Sequence, residues 1–376
     1  MTNLDPPLWT SSTKRLFESL QIEQARQKIS MARLRKMSSK KKRLLIIDGS
    51  NMFRRNYEAN PAVSDKGPIG GLRGTLSSIQ KVCNEMSPDK VALIWDGPGG
   101  SARKRKLVPS YKSGRKVPWS GLMGKLNRAG GNMLTSAQLQ QNFTWQQTEL
   151  IGYIDKMPIH QIMIPYVEAD DVISYVAQMP DFDEWQKVIY STDKDFYQLT
   201  RGSVGSIETV IYRPKPKGEA EFVHEDSILE EFGIHPCNFA VARAIAGDKS
   251  DNLPGAPGVG LGKIAKRFPY LAESCEHSLE KIFEDCEKNL GKLKIYDNII
   301  QNKNDILTNY GMMQLSSPNI PFKSTKIIKE SIRNMDMSFD KTSIEVKKRR
   351  HDFPQVRLDG LYTHMKRLSV EGKKDE

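Results

Sequence analysis

"KRLLIID", residues 42–48, is the stretch on which the fold turns. Basic residues open it, four aliphatic residues follow without a polar break, and an Asp closes it. The pattern returns as "KVALIWD" (90–96) and "KVIYSTD" (187–193). Short unbroken apolar runs suit strands buried on both faces of a parallel sheet. Helical patterns lie between them, "GGLRGTLSSIQKVCNEM" (70–86) and "EADDVISYVAQM" (168–179). This alternation predicts an α/β fold, a mostly parallel central sheet with helices on both faces. In such sheets functional groups gather at the carboxyl ends of the strands. Asp48, Asp96 and Asp193 all fall there.

The chain has 376 residues, 38% of them hydrophobic and 27% charged, which suits a soluble globular protein of one large domain or two. Its formal charge of +12 points to a polyanionic partner or a membrane surface. No apolar run approaches the roughly 20 residues of a membrane span, and the N-terminus lacks the apolar core of a signal peptide. The expected location is therefore cytoplasmic. Cys83, Cys237, Cys275 and Cys286 form no C-x-x-C pair, and the six His form no H-x-x-x-H. Those templates give no support for a zinc site, and lone cysteines fit a reducing compartment.

Four segments follow from the pattern. Residues 1–42 read as a basic N-terminal extension, either a basic amphipathic helix that touches nucleic acid or a partner, or a solvated helical arm. Residues 43–222 read as the α/β domain, with a long excursion over about 99–165. Residues 223–325 read as mainly helical. Residues 326–376 read as a charged C-terminal extension, expected to be partly disordered after Lys341.

Carboxylates crowd in a chain rich in cations. Asp195 follows Asp193 by two residues, and "VEADD" places Glu168, Asp170 and Asp171 at a helix start. Glu168 and Asp171, three apart, are expected to share a helical face; Asp170 joins them only if the helix starts late. "GDKSDN" adds Asp248 and Asp251 at the same spacing. Like charges this close disfavour each other's ionised form. Clustered carboxylates without His or Cys make a hard oxygen site, suited to Mg²⁺ or Mn²⁺ rather than Zn²⁺. Two such ions roughly 4 Å apart are the usual apparatus for phosphodiester hydrolysis.

With these residues assembled, the chain resembles the 5′ nuclease superfamily: phage 5′→3′ exonucleases, phage ribonuclease H enzymes, the 5′-nuclease domain of bacterial DNA polymerase I, and flap endonucleases. The carrying stretches are "LLIIDGSNMFRR", "ALIWDGPGGSARKRKLVPSYKSGR", "VEADDVIS", "STDKDFYQL" and "GDKSDNLPGAPGVGLGKIAKRF", in family order from about residue 43 to 270. The resemblance implies a PIN-like fold with an inserted helical arch. It also implies an acid cluster of Asp48, Asp96, Glu168, Asp170, Asp171, Asp193, Asp195, Asp248 and Asp251, holding two Mg²⁺, with Mn²⁺ able to substitute. Trp95 stands where Phe is commoner. The family's Arg, eight residues before the Lys of "YK", is Lys104 here, flanked by Arg103 and Arg105. One of these three, with Lys112, is expected at the scissile phosphate. Arg54 is expected to touch DNA.

"GGSARKRKLVPSYKSGRKVP" (99–118) carries seven basic residues and no acid. By resemblance it is the base of the arch, through which a 5′ single strand passes. Tyr111 is expected to stack on an unpaired base, with Arg115 and Lys116 on the backbone. "GDKSDNLPGAPGVGLGK" (247–263) superficially resembles a phosphate-binding P-loop, but Ile264 replaces the required Ser or Thr and Pro257 replaces the first Gly. It reads instead as helix–hairpin–helix, with "GVG" at Gly258, Val259 and Gly260 as the turn. Gly262, Lys263 and Lys266 are then placed to grip duplex backbone without reading sequence, and the family implies K⁺ there.

The expected activity is a structure-selective 5′ nuclease, an exonuclease and flap endonuclease of replication and repair. Expected partners are DNA with 5′ flaps, nicks or gaps, RNA–DNA primer hybrids, and a clamp or single-strand-binding protein docked on the extensions. The length suits a stand-alone monomeric nuclease such as a phage enzyme, acting in the host cytoplasm. The rival readings are a PIN-domain ribonuclease, which would cut only RNA, and a non-catalytic DNA-junction binder.

Overall fold

The computed structural model describes residues 41–65, 67–113, 119–128, 134–202, 208–215, 219–352 and 356–372. All but the last two residues of the expected N-terminal extension lie outside these, as do Arg115 and Lys116.

Six strands form the sheet: β1 (Arg43–Asp48), β2 (Lys90–Trp95), β3 (His160–Met163), β4 (Gln186–Tyr190), β5 (Thr209–Arg213) and β6 (Glu221–Val223). Their spatial order is β3-β2-β1-β4-β5-β6. Every pairing is parallel except the last, β5 with β6. All six residues of central β1 are buried. Leu44 and Ile46 enter the core on one face, Leu45 and Ile47 the core on the other. Both faces being covered, the run needs no polar residue until its end.

The helices are α1 (Gly49–Ala59), α2 (Gly70–Met86), α3 (Ala102–Leu107), α4 (Trp119–Arg128), α5 (Ser136–Ile154) and α6 (Ala169–Ala177). After the sheet come α7 (Glu225–Phe232), α8 (Phe239–Ala246), α9 (Leu261–Arg267), α10 (Leu279–Glu287), α11 (Lys294–Gln301), α12 (Lys303–Met313), α13 (Phe322–Arg333), α14 (Lys341–Arg350) and α15 (Asp359–Gly372). Helices α1, α2 and α5 pack on the Leu45 face, and α6 on the Leu44 face. Phe239, Ile264, Ile282 and Ile306 join the Leu44 core. The helical part therefore rests directly on the sheet and shares its core.

Two sequence expectations need correction. The excursion is shorter than 99–165. Helix α5 buries Leu139, Leu150 and Tyr153 in the Leu45 core, and β3 is an edge strand of the sheet. The described part of the charged tail is helical and packed. Leu361, Met365 and Leu368 of α15, at i, i+4 and i+7, are fully buried. Helix α15 lies so close to α2 that a Cβ added at Gly360 would come within 2.9 Å of the Asn84 side chain. Charged residues around a narrow apolar stripe hid this packing, since charge density alone reads as solvation.

Candidate active site

The acids reach one edge of the sheet because each strand there ends in a polar turn. Asp48 closes β1 and caps α1, accepting the Asn51 N–H at 3.0 Å, while the Ser191 hydroxyl donates to its other oxygen at 2.9 Å. Asp96 follows β2 and accepts the Ala169 N–H, the first of α6, at 2.9 Å. A Cβ at Gly97 would overlap the Ile164 carbonyl, so glycine there lets the two loops meet. Asp193 opens the turn after β4 and accepts the Asp195 N–H at 2.9 Å.

Glu168 is the residue before α6, not part of it. The expectation that Glu168 and Asp171 share a helical face fails for that reason. Glu168 turns to the arch base instead. It meets the ammonium groups of Lys104 and Lys112, each at 2.7 Å, and accepts from the Ser101 hydroxyl at 2.7 Å and the Tyr111 hydroxyl at 3.2 Å. Asp171 accepts the Asn319 N–H at 3.1 Å. Asp170 joins the cluster, in the field of Asp193 and Glu168.

Electrostatics separates the carboxylates. Burial, with Asp96 and Asp193 nearby, pushes Asp48 up to about 7. Burial and Asp193 push Asp195 up to about 7 against the pull of Arg243. Enclosure raises Asp170, against Lys112 and with Asp193, and it raises Asp193 too, with Asp251 adding to the effect. For Glu168 burial works the same way, but Lys104 and Lys112 outweigh it and hold the carboxyl at about 2. Desolvation opposes charge on both lysines; the surrounding acids overcome it and raise both, so both stay protonated.

Among the described residues Asp48, Asp170 and Asp193 form no ion pair, although they are crowded together. Crowded all-oxygen donors of this kind fit a hard divalent ion. Asp195 and Asp248 are different: Arg243 bridges them at 3.0 and 2.5 Å. Sequence reasoning missed Arg243. Its signal was one cation inside the apolar helix "FAVARAIA", next to an acid motif. It also missed Asn319, whose backbone and side-chain oxygens accept from Arg103 at 2.8 and 2.7 Å.

The basic stretch sorts itself. Of the three adjacent cations, Lys104 faces Glu168; Arg103 faces Asn319; Arg105 reaches the Tyr111 carbonyl at 3.4 Å. Tyr111 corrects an expectation: it is buried, its hydroxyl donates to Glu168, and the ammonium groups of Lys104 and Lys112 lie 5.7 and 4.9 Å from its ring centre. It is not presented for base stacking. Lys112 sits at φ +55°, a conformation that costs a non-glycine residue energy and is held by its surroundings. Its N–H donates to the Asp251 carbonyl at 3.0 Å, and the Asn252 amide donates to the Ser110 carbonyl at 3.0 Å. The arch base is thereby strapped to the "KSDN" turn. Arg54 is half-exposed on α1, 3.8 Å from Glu58.

The hairpin joins α8 to α9. Gly258 takes φ +71°, whereas Gly260 lies at φ −118°, open to any residue. The glycine that its turn requires is thus Gly258, not Gly260. Val259 and Ile264 are buried, and Lys263 donates to the Gly258 carbonyl at 2.8 Å. Gly260 and Gly262 have open space where a Cβ would stand, and Lys266 is exposed. A groove of about 780 Å³ runs beside the turn, lined among others by Lys249, Asn252, Gly255 and Gly258.

A carboxylate cluster at the carboxyl edge of a parallel sheet, a lysine-bearing arch base and a helix–hairpin–helix together define a 5′ nuclease of the phosphodiester-hydrolysing kind. Residues 43–233 match the family model described as 5′-3′ exonuclease, N-terminal resolvase-like domain, and the chain belongs to that family. The flap endonuclease Xni of Shewanella woodyi is 28% identical over 281 residues, 73% of this chain and 98% of its own length. A 5′-3′ exonuclease of Buchnera aphidicola is 27% identical over 250 residues, 65% of this chain and 76% of its own. Among solved structures, the zinc-bound 5′-exonuclease of a T-series bacteriophage superposes with a TM-score of 0.60 at 18% identity, covering 78% of this chain and all of that one. At that identity the likeness speaks for the fold.

Proposed function

We propose that the chain is a structure-selective, Mg²⁺-dependent 5′ nuclease that removes RNA primers and 5′ flaps during DNA replication and repair. The observation that carries this is the trio of buried carboxylates, Asp48, Asp170 and Asp193, that form no ion pair among the described residues, beside a Glu168 already held by two lysines. Asp48, Asp96, Glu168, Asp170, Asp171 and Asp193 would hold one ion, with Asp195, Asp248 and Asp251 serving a second; Mn²⁺ suits the same oxygens. When bound, such ions lower the pKa of an attacking water and stabilise the leaving oxygen.

The chain's own groups do the rest. Lys104 and Lys112, both protonated, present ammonium donors where charge develops on the scissile phosphate. The Lys104 position, rather than Arg103 or Arg105, takes this role, because only its ammonium faces the acids. Arg243 keeps Asp195 and Asp248 oriented. Asp171, through Asn319, ties α6 to the connection before α13 and keeps the edge of the cluster in place. The Gly258 turn and the start of α9 grip duplex backbone, with Lys263, Lys266 and a K⁺ neutralising phosphate. Arg54, Arg115 and Lys116 add contacts to the strand that passes the arch. The enzyme acts as a cytoplasmic monomer, with clamp or single-strand-binding proteins docking on its terminal segments.

The test is single-turnover cleavage of end-labelled flap, nicked and RNA–DNA primer substrates with Mg²⁺ and with chelator. Release of short 5′ products only with the metal is expected. Cleavage confined to single-stranded RNA would favour a PIN-type ribonuclease, and tight binding without cleavage would favour a junction binder.

A further inference from the structure

A second cluster of ligating groups lies away from the acids, in the connection between α9 and α10. Its sequence is "ESCEH", residues 273–277. Glu273, Cys275 and His277 direct their side chains to one point. The Cys275 sulfur lies 3.4 Å from His277 Nε2 and 3.5 Å from Glu273 Oε2, and these last two are 3.3 Å apart. A tetrahedral zinc with bonds of about 2.3 Å to sulfur, 2.05 Å to nitrogen and 2.0 Å to oxygen separates the same atoms by about 3.6, 3.5 and 3.3 Å. The three ligand atoms already sit on one face of that tetrahedron.

The backbone beneath them is held in place. Asn238 is fully buried. Its amide donates to the carbonyls of Glu273 at 3.2 Å and Cys275 at 2.9 Å, and its oxygen accepts the His277 N–H at 2.8 Å. One side chain thus fastens the loop at each of the three alternate residues. An ordinary Glu–His pair needs no such scaffold. The templates sought in the sequence, C-x-x-C and H-x-x-x-H, do not contain this E-x-C-x-H spacing.

We propose that Glu273, Cys275 and His277 form a site for a borderline-soft divalent cation of the zinc kind, with its fourth position open to solvent. Thiolate and imidazole select such an ion over Mg²⁺. Glu273 and Cys275 are exposed, so an entry path exists. One neighbour opposes the ion. The Lys281 ammonium lies 3.1 Å from His277 Nδ1, where a metal-bound imidazole carries N–H and needs an acceptor. Lys281 is exposed and must swing aside.

The experiment titrates chelator-treated protein with Co²⁺ and reads the thiolate-to-cobalt charge-transfer band, to which a carboxylate cluster cannot contribute. One equivalent is expected to give the band. Cys275→Ser should abolish it, and His277→Ala or Glu273→Gln should weaken binding about 10-fold or more. Lys281→Gln supplies an acceptor for the Nδ1–H and should tighten binding about 10-fold, the scale of outer-shell effects on metal sites; misfolding cannot produce a gain. No band in the wild type, or a band that survives Cys275→Ser, which would assign it to Cys237, overturns the proposal.

Discussion

Asp48→Asn sets burial of charge against catalysis, and the structure gives the size of both effects. The Asp48 carboxyl is raised from its ordinary 3.8 to about 7 by burial, Asp96 and Asp193. The folded state therefore binds this proton more tightly than the unfolded chain. The resulting stability is fully present below about pH 4 and lost as pH rises through about 7. Three pH units amount to at most about 4 kcal/mol. Asn removes that cost at pH 8 without metal. It caps a helix about as well as Asp, so the Asn51 bond persists. Its amide nitrogen, turned toward Ser191, leaves that hydroxyl short of an acceptor, at about 1 kcal/mol. The variant should gain about 1–3 kcal/mol at pH 8 in chelator, a few degrees in Tm for a chain of this size, and gain nothing at pH 4.5. With saturating Mg²⁺ the order should reverse, since the wild type alone keeps full metal binding. Single-turnover cleavage of a 5′ flap should fall about 10²-fold or more. The assays are melting curves in chelator at both pH values and a quenched cleavage time course. A Tm difference that does not change with pH, or cleavage within a few-fold of wild type, refutes the reasoning.

Three further predictions test neighbouring parts. Lys112→Ala should slow single-turnover cleavage by about 10²-fold while flap affinity stays within a few-fold; unchanged cleavage removes Lys112 from the scissile phosphate. Gly258→Ala places a Cβ at φ +71° and should cost about 1–2 kcal/mol of local stability. Duplex affinity should fall alike for every sequence, whereas a loss confined to one sequence, read by fluorescence anisotropy, would refute the backbone grip. Affinity for DNA should drop steeply as salt rises, because cations bound to phosphate are released; a flat dependence would deny the basic surface its role.

The strand-end acids show how much was legible from the chain alone. The middle of a strand buried on both faces is apolar, so the first polar residue after the run marks its end. In "KRLLIID" and "KVALIWD" that local rule places Asp48 and Asp96 at the sheet edge without knowledge of what packs nearby; in "KVIYSTD" it marks Ser191, and Asp193 follows two residues on, in the turn. The glycine hairpin was legible for a similar reason, since its turn and the helix after it are set within a few residues.

Pairings between distant segments were not legible. Glu168, beside the other acids, also pairs with Lys104 and Lys112, some 60 residues earlier in the chain. Tyr111 is buried beneath the same lysines, which no local pattern encodes. Arg243 bridges Asp195 and Asp248 only because α8 packs against the turn after β4. The tail joins the core because a narrow stripe of Leu361, Met365 and Leu368 finds α2, nearly 300 residues earlier. Local propensity acts over a turn or a strand, and the sequence by itself determines what lies within that reach: strand ends, turns and the inventory of acids. How burial shifts each of those acids, and which of them also pair with a lysine or arginine from a remote segment, only the tertiary structure decides.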